Sequence, residues 1–389
     1  MPFSPISSFR FLRVLLIFAF HAALLFLAPA RADTIGPVAG DTAKETGETT
    51  SAPATPATPP EPSPESQEPG DAIAHALRQY HRGEYALALP VFLTQEARQY
   101  AEIHYRLGNM YALGLALPQD YGKALDHYVE AARRHDAAAM YSLGVIYDKG
   151  LGVKQNHTVA AEWYSAAAEH GDVRAMHNLG NLYAIGLGVG QDDVRARIWY
   201  QNAAAEGDAA SMCSLGNMYR YGNGVPVNFS TAIKWYEHGA ERNDTCSLLN
   251  LAWFYFRGWG TEQNLRKAVE LDKAGALQGN PVAAFNLAGM YQYGLGTEED
   301  AAAAWHWYNI SAEKGYPPAM KQIALIYRQG LLGQEANEET AAQWQAKAQK
   351  AANTADQANP FASPAYGLED NLPALSGKEK QPCKKEKQP

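Results

Sequence analysis

The chain has 389 residues, 47% of them hydrophobic and 19% charged, with a formal net charge of -8. A phosphate backbone calls for a basic stripe that this balance does not supply, so nucleic acid is not an expected partner. Three cysteines are too few for a disulfide framework and lack metal-ligand spacing.

The first expected element is a signal peptide over residues 1–32. Arg10 and Arg13 precede an apolar run from Val14 to Leu27, broken mainly by His21, and Ala30-Arg31-Ala32 offers small residues where cleavage requires them. The run is shorter than the roughly 18–20 residues of a spanning helix. Maturation is expected after Ala32, leaving no stable membrane span; an uncleaved anchor is the alternative. Residues 33–70, rich in Pro, Thr and Glu, hold almost no large apolar side chains and read as a disordered linker. At the other end, residues 355–389 lose helical periodicity, contain Pro360, Pro364 and Pro373, and read as a solvated tail that holds Cys383 as a lone thiol.

Between these tails the sequence repeats. Leu107, Leu143, Leu179, Leu215, Leu251, Leu287 and Ile323 stand 36 positions apart, and a tyrosine follows each by four, from Tyr111 to Tyr327. Gly108, Gly144, Gly180 and Gly216 follow the first four leucines, with Ala252, Ala288 and Ala324 in the rest. Leucine and tyrosine at i and i+4 share a helical face, and the small residue lets a second helix approach closely. Glycine pairs, from Gly150 and Gly152 to Gly294 and Gly296, then end the first helix. Asp120, Asn156, Asp192, Asn228, Asn264 and Asp300 are placed to cap the second. That helix carries Ala124, Ala160, Ala196, Ala232, Ala268 and Ala304, then Trp-Tyr pairs at 163–164, 199–200, 235–236 and 307–308, with His127-Tyr128 and Leu271-Asp272 as departures. The last copy has one extra residue in its turn, which moves Asn337, Ala341 and Trp344 one place beyond register. A lone helical hairpin cannot bury its apolar face, so the units must stack.

The run A-x-x-x-L-G-x-x-Y-x-x-G-x-G-V, then D/N, A, W-Y and A, as in Ala139 to Ala168, resembles the Sel-like repeat family, longer-turned relatives of tetratricopeptide repeats. The resemblance implies an all-α, right-handed superhelical solenoid of stacked antiparallel helix pairs. It assigns residues 103–354 to seven repeats of 36 residues and residues 71–102, with Gly83, Tyr85, Ala88 and Phe92, to a tetratricopeptide-like N-terminal capping hairpin. It further implies an adaptor or scaffold for a protein or peptide partner. A cysteine-rich secreted branch of the family staples every hairpin with a disulfide and is linked to β-lactam and cell-wall compounds; the cysteines for that stapling are missing here.

No H-E-x-x-H, G-x-S-x-G or Walker-type glycine loop is present, and His127, His177 and His238 lack repeat partners that would build a metal site. The chain is therefore expected to be no enzyme and to need no cofactor or metal. Cys213 and Cys246 fall in first helices of adjacent repeats, Cys246 one turn short of register. Helix axes ~8–10 Å apart against a Cα limit of ~7 Å for a disulfide argue against a bond between them.

In tetratricopeptide-like solenoids the first helices line the concave wall. A polar ladder there is a candidate for binding an extended partner, Arg106, Ser142, Asn178, Ser214, Asn250, Asn286 and Gln322 just before each leucine; two residues after it come Asn109, Val145, Asn181, Asn217, Trp253, Gly289 and Leu325. The fifth repeat stands out, with Trp253, Phe256 and Arg257 expected to face outward or into the groove, flanked by Arg220, Tyr221, Gln292, Tyr293 and Arg328. The alternative is that Trp253 and Phe256 repack a unit that lost its Trp-Tyr pair. The expected function is an exported, periplasmic or secreted adaptor that grips a protein along this face. A cell-wall or β-lactam-binding hydrolase-like protein and an effector that binds host proteins are the alternatives.

Overall fold

The computed structural model describes residues 69–355. The expected signal peptide, the linker up to residue 68, the tail and Cys383 lie outside the described residues. Among those residues every regular element is helical. The first hairpin joins α1 (Pro69–His81) to α2 (Tyr85–Phe92) through Gly83, at φ +79°, and buries Ala88 and Phe92. A short 3-10 turn (Ala97–Gln99) leads into seven longer pairs. These are α3 (Ala101–Leu113) with α4 (Tyr121–Ala132), α5 (Ala137–Lys149) with α6 (His157–Glu169), and α7 (Val173–Ile185) with α8 (Asp193–Ala205). Then come α9 (Ala209–Tyr221) with α10 (Phe229–Ala240), and α11 (Thr245–Arg257) with α12 (Leu265–Leu277). The last are α13 (Pro281–Tyr293) with α14 (Ala301–Glu313), and α15 (Pro317–Gln329) with α16 (Glu338–Ala355). Each helix packs on its chain neighbours, and α5 with α7 and α9 with α11 also meet. This is a solenoid, in which every unit is held by the units beside it.

Within a pair, the spacing is set by a glycine beneath a tyrosine. A Cβ on Gly180 would lie 2.7 Å from the Tyr200 ring, and Gly108, Gly144 and Gly216 sit under Tyr128, Tyr164 and Tyr236 in the same way. Ala124, Ala160, Ala196 and Ala232 on the second helix are fully buried, so both helices present small side chains to the crowded interface. Burial pushes the phenols of Tyr128, Tyr164, Tyr200 and Tyr236 above their ordinary range.

The turn between the two helices is closed by one recurring backbone bond. The cap residue's N–H donates to the carbonyl of the repeat tyrosine: Asp120 to Tyr111 at 2.9 Å, Asn156 to Tyr147 at 2.8 Å, and so on to Asn337 and Tyr327 at 2.7 Å across the longer last turn. The two turn glycines do different jobs. Gly150, Gly186, Gly222, Gly258 and Gly294 are left-handed C-caps. The second glycine docks the turn on the previous repeat: a Cβ on Gly224 would lie 2.6 Å from Asp193 Cβ, and one on Gly260 2.6 Å from Phe229 Cβ. The expected caps of the second helices all accept a backbone N–H with their side chains. A second ladder, Asp136, Asp172, Asp208, Asp244 and Asn280, caps the first helices in the same manner.

The tryptophan row of the second helices fills the slots between successive pairs. Trp235 packs against a cluster that holds Ala204, Met212 and Leu215, and Trp307 against one that holds Ala276, Ala284 and Leu287, the same positions two repeats on. His127 holds this register position in the first repeat. It stacks on Tyr111 at 5.6 Å and meets His104 Nδ1 at 3.1 Å. Burial, then the neighbouring His104 and Arg98, push its pKa down to about 4.

Two outcomes follow. Gly180→Ala gains about 1 kcal/mol of helix propensity but drives a methyl into the Tyr200 ring, an overpacking that costs about 1–3 kcal/mol; a net fall in Tm measured by calorimetry is expected. His127 is neutral in the folded chain to well below the ~6.5 at which it protonates when unfolded. Its stabilising neutral packing is present above that value and is lost as pH falls toward about 4. His127→Phe is expected to flatten the decline of Tm between those two pH values, and an unchanged slope contradicts this.

Candidate functional site

The eleven candidate residues all lie on first helices, but five of them are buried: Arg220, Asn250, Trp253, Asn286 and Gln292. Here the sequence-based expectation needs correction. Trp253 is 8% exposed, because Trp259 from the following turn folds edge-on against it at 4.1 Å and Arg220 lies 4.5 Å from its ring centre. Arg220, also buried, donates from Nη1 to Asn250 Oδ1 at 2.5 Å and lies 4.8 Å from the Tyr221 ring, while its Nε has no acceptor. Asn250 Nδ2 donates to the Cys246 carbonyl at 2.9 Å, so its amide is spent inside the protein. Gln292 repeats that arrangement two units on: its Oε1 accepts from Tyr308 at 2.8 Å and faces Gln322 Nε2 at 3.5 Å, and its Nε2 donates to the Tyr293 hydroxyl at 3.0 Å. Asn286 donates to the buried Asp272 at 3.4 Å. Asn217 is half-buried and accepts from the Tyr236 hydroxyl at 2.8 Å, as Asn109 does from Tyr128 and Asn181 from Tyr200.

The polar groups at these positions are therefore largely spent inside the protein: Asn250, Asn286 and Gln322 are buried, and Asn109, Asn181 and Asn217 each accept from a tyrosine hydroxyl. Ser142 and Ser214 donate back to carbonyls one helical turn earlier, and Arg106 pairs with Glu102 at 3.0 Å. A buried amide without a partner costs about 1–3 kcal/mol, and internal pairing avoids that cost. For Arg220, Asn250 and Trp253 the physical reason for the error is the close meeting of α9 with α11. When first helices touch, the side chains between them become interior. Asn286 and Gln292 are instead taken up by Asp272 of α12 and Tyr308 of α14.

Phe256 is half-buried against the fifth-repeat cluster, Arg257 is exposed with its guanidinium 5.7 Å from Trp253, and Tyr293 is half-buried. Arg328 is exposed and pairs with Glu338 at 3.3 Å. Tyr221 is 58% exposed. Tyr221, Arg257 and Tyr293 share one register position, the residue just before each C-capping glycine. Leu113, Lys149 and Ile185 occupy it in the first three repeats and are exposed too, Leu113 at 67%. Sequence reasoning missed these three; the period alone would have found them once the glycines were known to be caps.

Cys213 and Cys246 form a disulfide, with Cα atoms 6.1 Å apart. The expectation against it measured axis to axis, whereas Cα atoms sit ~2.3 Å off the axis, so facing residues come closer than the axes do. The bridge joins α9 to α11, two repeats, and does not staple a hairpin. The Asp244 carboxylate lies near both sulfurs but caps α11, accepting from Ser247 N at 2.7 Å. With both sulfurs bonded to each other, that trio has no thiolate to offer a cation.

One Ser-His-Asp grouping needs the same scrutiny. His177 Nδ1 meets Ser211 Oγ at 2.8 Å and Asp208 Oδ2 at 3.3 Å. A triad needs the two partners on opposite ring nitrogens; here both share one, Ser211 is fully buried, and Asp208 caps α9. It is a cap. Among the described residues no helix is long and apolar enough to cross a membrane.

The bridge yields a direct test. Thiol titration of the denatured, unreduced protein should find one reactive cysteine of the three. Replacing Cys213 and Cys246 by serine should lower stability by about 2–4 kcal/mol in denaturant unfolding. Three reactive thiols would contradict it.

Comparison with known proteins agrees with this geometry. The Sel1 repeat model matches residues 101–136, 137–172, 173–208, 209–244, 247–280, 281–316 and 317–352. The crystal structure of c5321, a protective antigen present in uropathogenic Escherichia coli strains, is 32% identical with a TM-score of 0.63; it covers 75% of this chain, which spans 62% of that protein. A Sel1 repeat protein from Oxalobacter formigenes is 31% identical with a TM-score of 0.60, over 62% of this chain and 99% of that one. No curated protein matches. Seven matched repeats, stacked pair on pair by glycine, tyrosine and cap, make this chain a member of the Sel1 repeat family.

Proposed function

We propose that the chain is an exported, non-catalytic scaffold that binds a protein partner along the ends of its first helices, in the periplasm or outside the cell. One observation carries this reading: the row Leu113, Lys149, Ile185, Tyr221, Arg257 and Tyr293, one long side chain from each of the first six long repeats, with all but the half-buried Tyr293 exposed. The buried Asn250, Trp253, Asn286 and Gln292 are already engaged inside the protein, so this row is the repeating set of side chains that the first helices offer to another molecule. Aromatic and arginine side chains lead among interface anchors, where one is worth ~2 kcal/mol or more. A linear row at repeat spacing suits an elongated partner surface, as the stacked architecture provides. Export rests on the N-terminal sequence, and the description of the Escherichia coli relative as a protective antigen supports it, since antibody meets proteins at or beyond the cell surface.

The test uses the full chain expressed in a Gram-negative host and recovered from the periplasmic fraction, where a mass corresponding to a start at Asp33 is expected. A photo-crosslinking residue at position 221 should capture a discrete envelope protein. Combined Tyr221→Ala, Arg257→Ala and Tyr293→Ala substitutions should weaken binding of that protein roughly tenfold or more with Tm unchanged. Undiminished binding by a folded triple variant overturns the surface assignment, and retention of the intact chain in the cytoplasm overturns export.

A further inference from the structure

The second helix of the fifth repeat lacks the tryptophan that fills the slot between successive pairs. Leu271 stands there. In the fourth repeat Trp235 packs against the cluster that holds Ala204, Met212 and Leu215; the positions 36 residues on are Ala240, Leu248 and Leu251. Those three residues, with Leu271, form the apolar floor of an open cavity of about 580 Å³. One repeat further along, Trp307 packs against the cluster that holds the equivalent Ala276, Ala284 and Leu287. The cavity is therefore an indole slot left unfilled by the chain's own register residue, and its volume falls in the ~300–1,000 Å³ range of ligand sites.

Its rim is acidic. Glu237, Glu241 and Glu270 line it, against one ammonium, that of Lys267. Lys267 is held at one end, 3.0 Å from the Tyr255 hydroxyl and 4.6 Å from the ring centre, and Glu237 accepts from the same hydroxyl at 3.2 Å. Glu241 and Glu270 are exposed. His238, 3.7 Å from Glu241, adds a second basic group when protonated. An apolar floor at the register position that tryptophan occupies in neighbouring repeats, under a rim with an excess of carboxylates, suits an aromatic side chain carried between cations.

We infer that this slot between α10, α11 and α12 is a docking site for a protein partner that inserts one aromatic side chain flanked by lysine or arginine. Its lining comes from α10, α11 and α12 and includes none of the residues before the C-capping glycines, so its test is separate from that of the row.

The experiment is a titration of the isotope-labelled full chain with the tripeptide acetyl-lysyl-tryptophyl-lysinamide, read on the methyl resonances of Leu248, Leu251 and Leu271. Saturable shifts at these methyls are expected with this peptide. Loss of roughly tenfold or more in affinity is expected when its tryptophan becomes alanine or its lysines become glutamates. Leu271→Trp restores the register residue and should abolish the shifts without lowering Tm; Glu241→Gln with Glu270→Gln should weaken binding and its salt dependence. No perturbation of the slot methyls at millimolar peptide, or equal binding of the alanyl and tryptophyl peptides, overturns the inference. The peptide comparison on the unaltered chain decides it even if Leu271→Trp fails to fold.

Discussion

The structure depends on how closely the two helices of each repeat approach. A glycine under a tyrosine ring sets that distance in the first four repeats, and no side chain larger than a hydrogen fits beneath the ring without displacement. Once the ring lies flat across the first helix, its hydroxyl reaches the asparagine next to the glycine, as in Tyr200 with Asn181 and Tyr236 with Asn217. One packing contact thus determines which polar groups remain for other work. It leaves few.

Stacking adds a second constraint. The long turn closes on a backbone bond from the cap residue to the repeat tyrosine, and its second glycine presses on the preceding second helix. Backbone-to-backbone contact of this kind gives each repeat a defined seat on the last. In the middle of the array the seat is tight enough for α9 and α11 to share a disulfide and for Arg220 to reach Asn250 across the gap. The aromatic cluster of the fifth repeat, with Trp253, Phe254 and Trp259, is the packing consequence of that approach. Leu271, which stands where the tryptophan is missing, packs against the buried cluster that holds Trp253 and Phe254.

Function is then left to what the packing does not consume. The row before the C-capping glycines is such a remainder, because a residue at the last turn of a helix points past the interface. The slot over Leu271 is another: a register position filled by too small a side chain opens space that its neighbours cannot close, since their own backbones are already seated. Both arise from the same regularity, one by following it and one by breaking it.

By itself the sequence determined the helices, their ends, the period and the family. Asp, Asn, Gly and Leu act locally or through spacing along one chain, as the cap at Asp192 and the left-handed Gly186 illustrate. The tertiary structure alone decided that Trp253, Asn250 and Gln292 are interior, that Cys213 and Cys246 meet, and that a cavity lies over Leu271. Each of these turns on the distance between helices that the folded chain brings together. That distance is a balance of side-chain volumes drawn from three or four segments at once, and no single stretch of sequence states it.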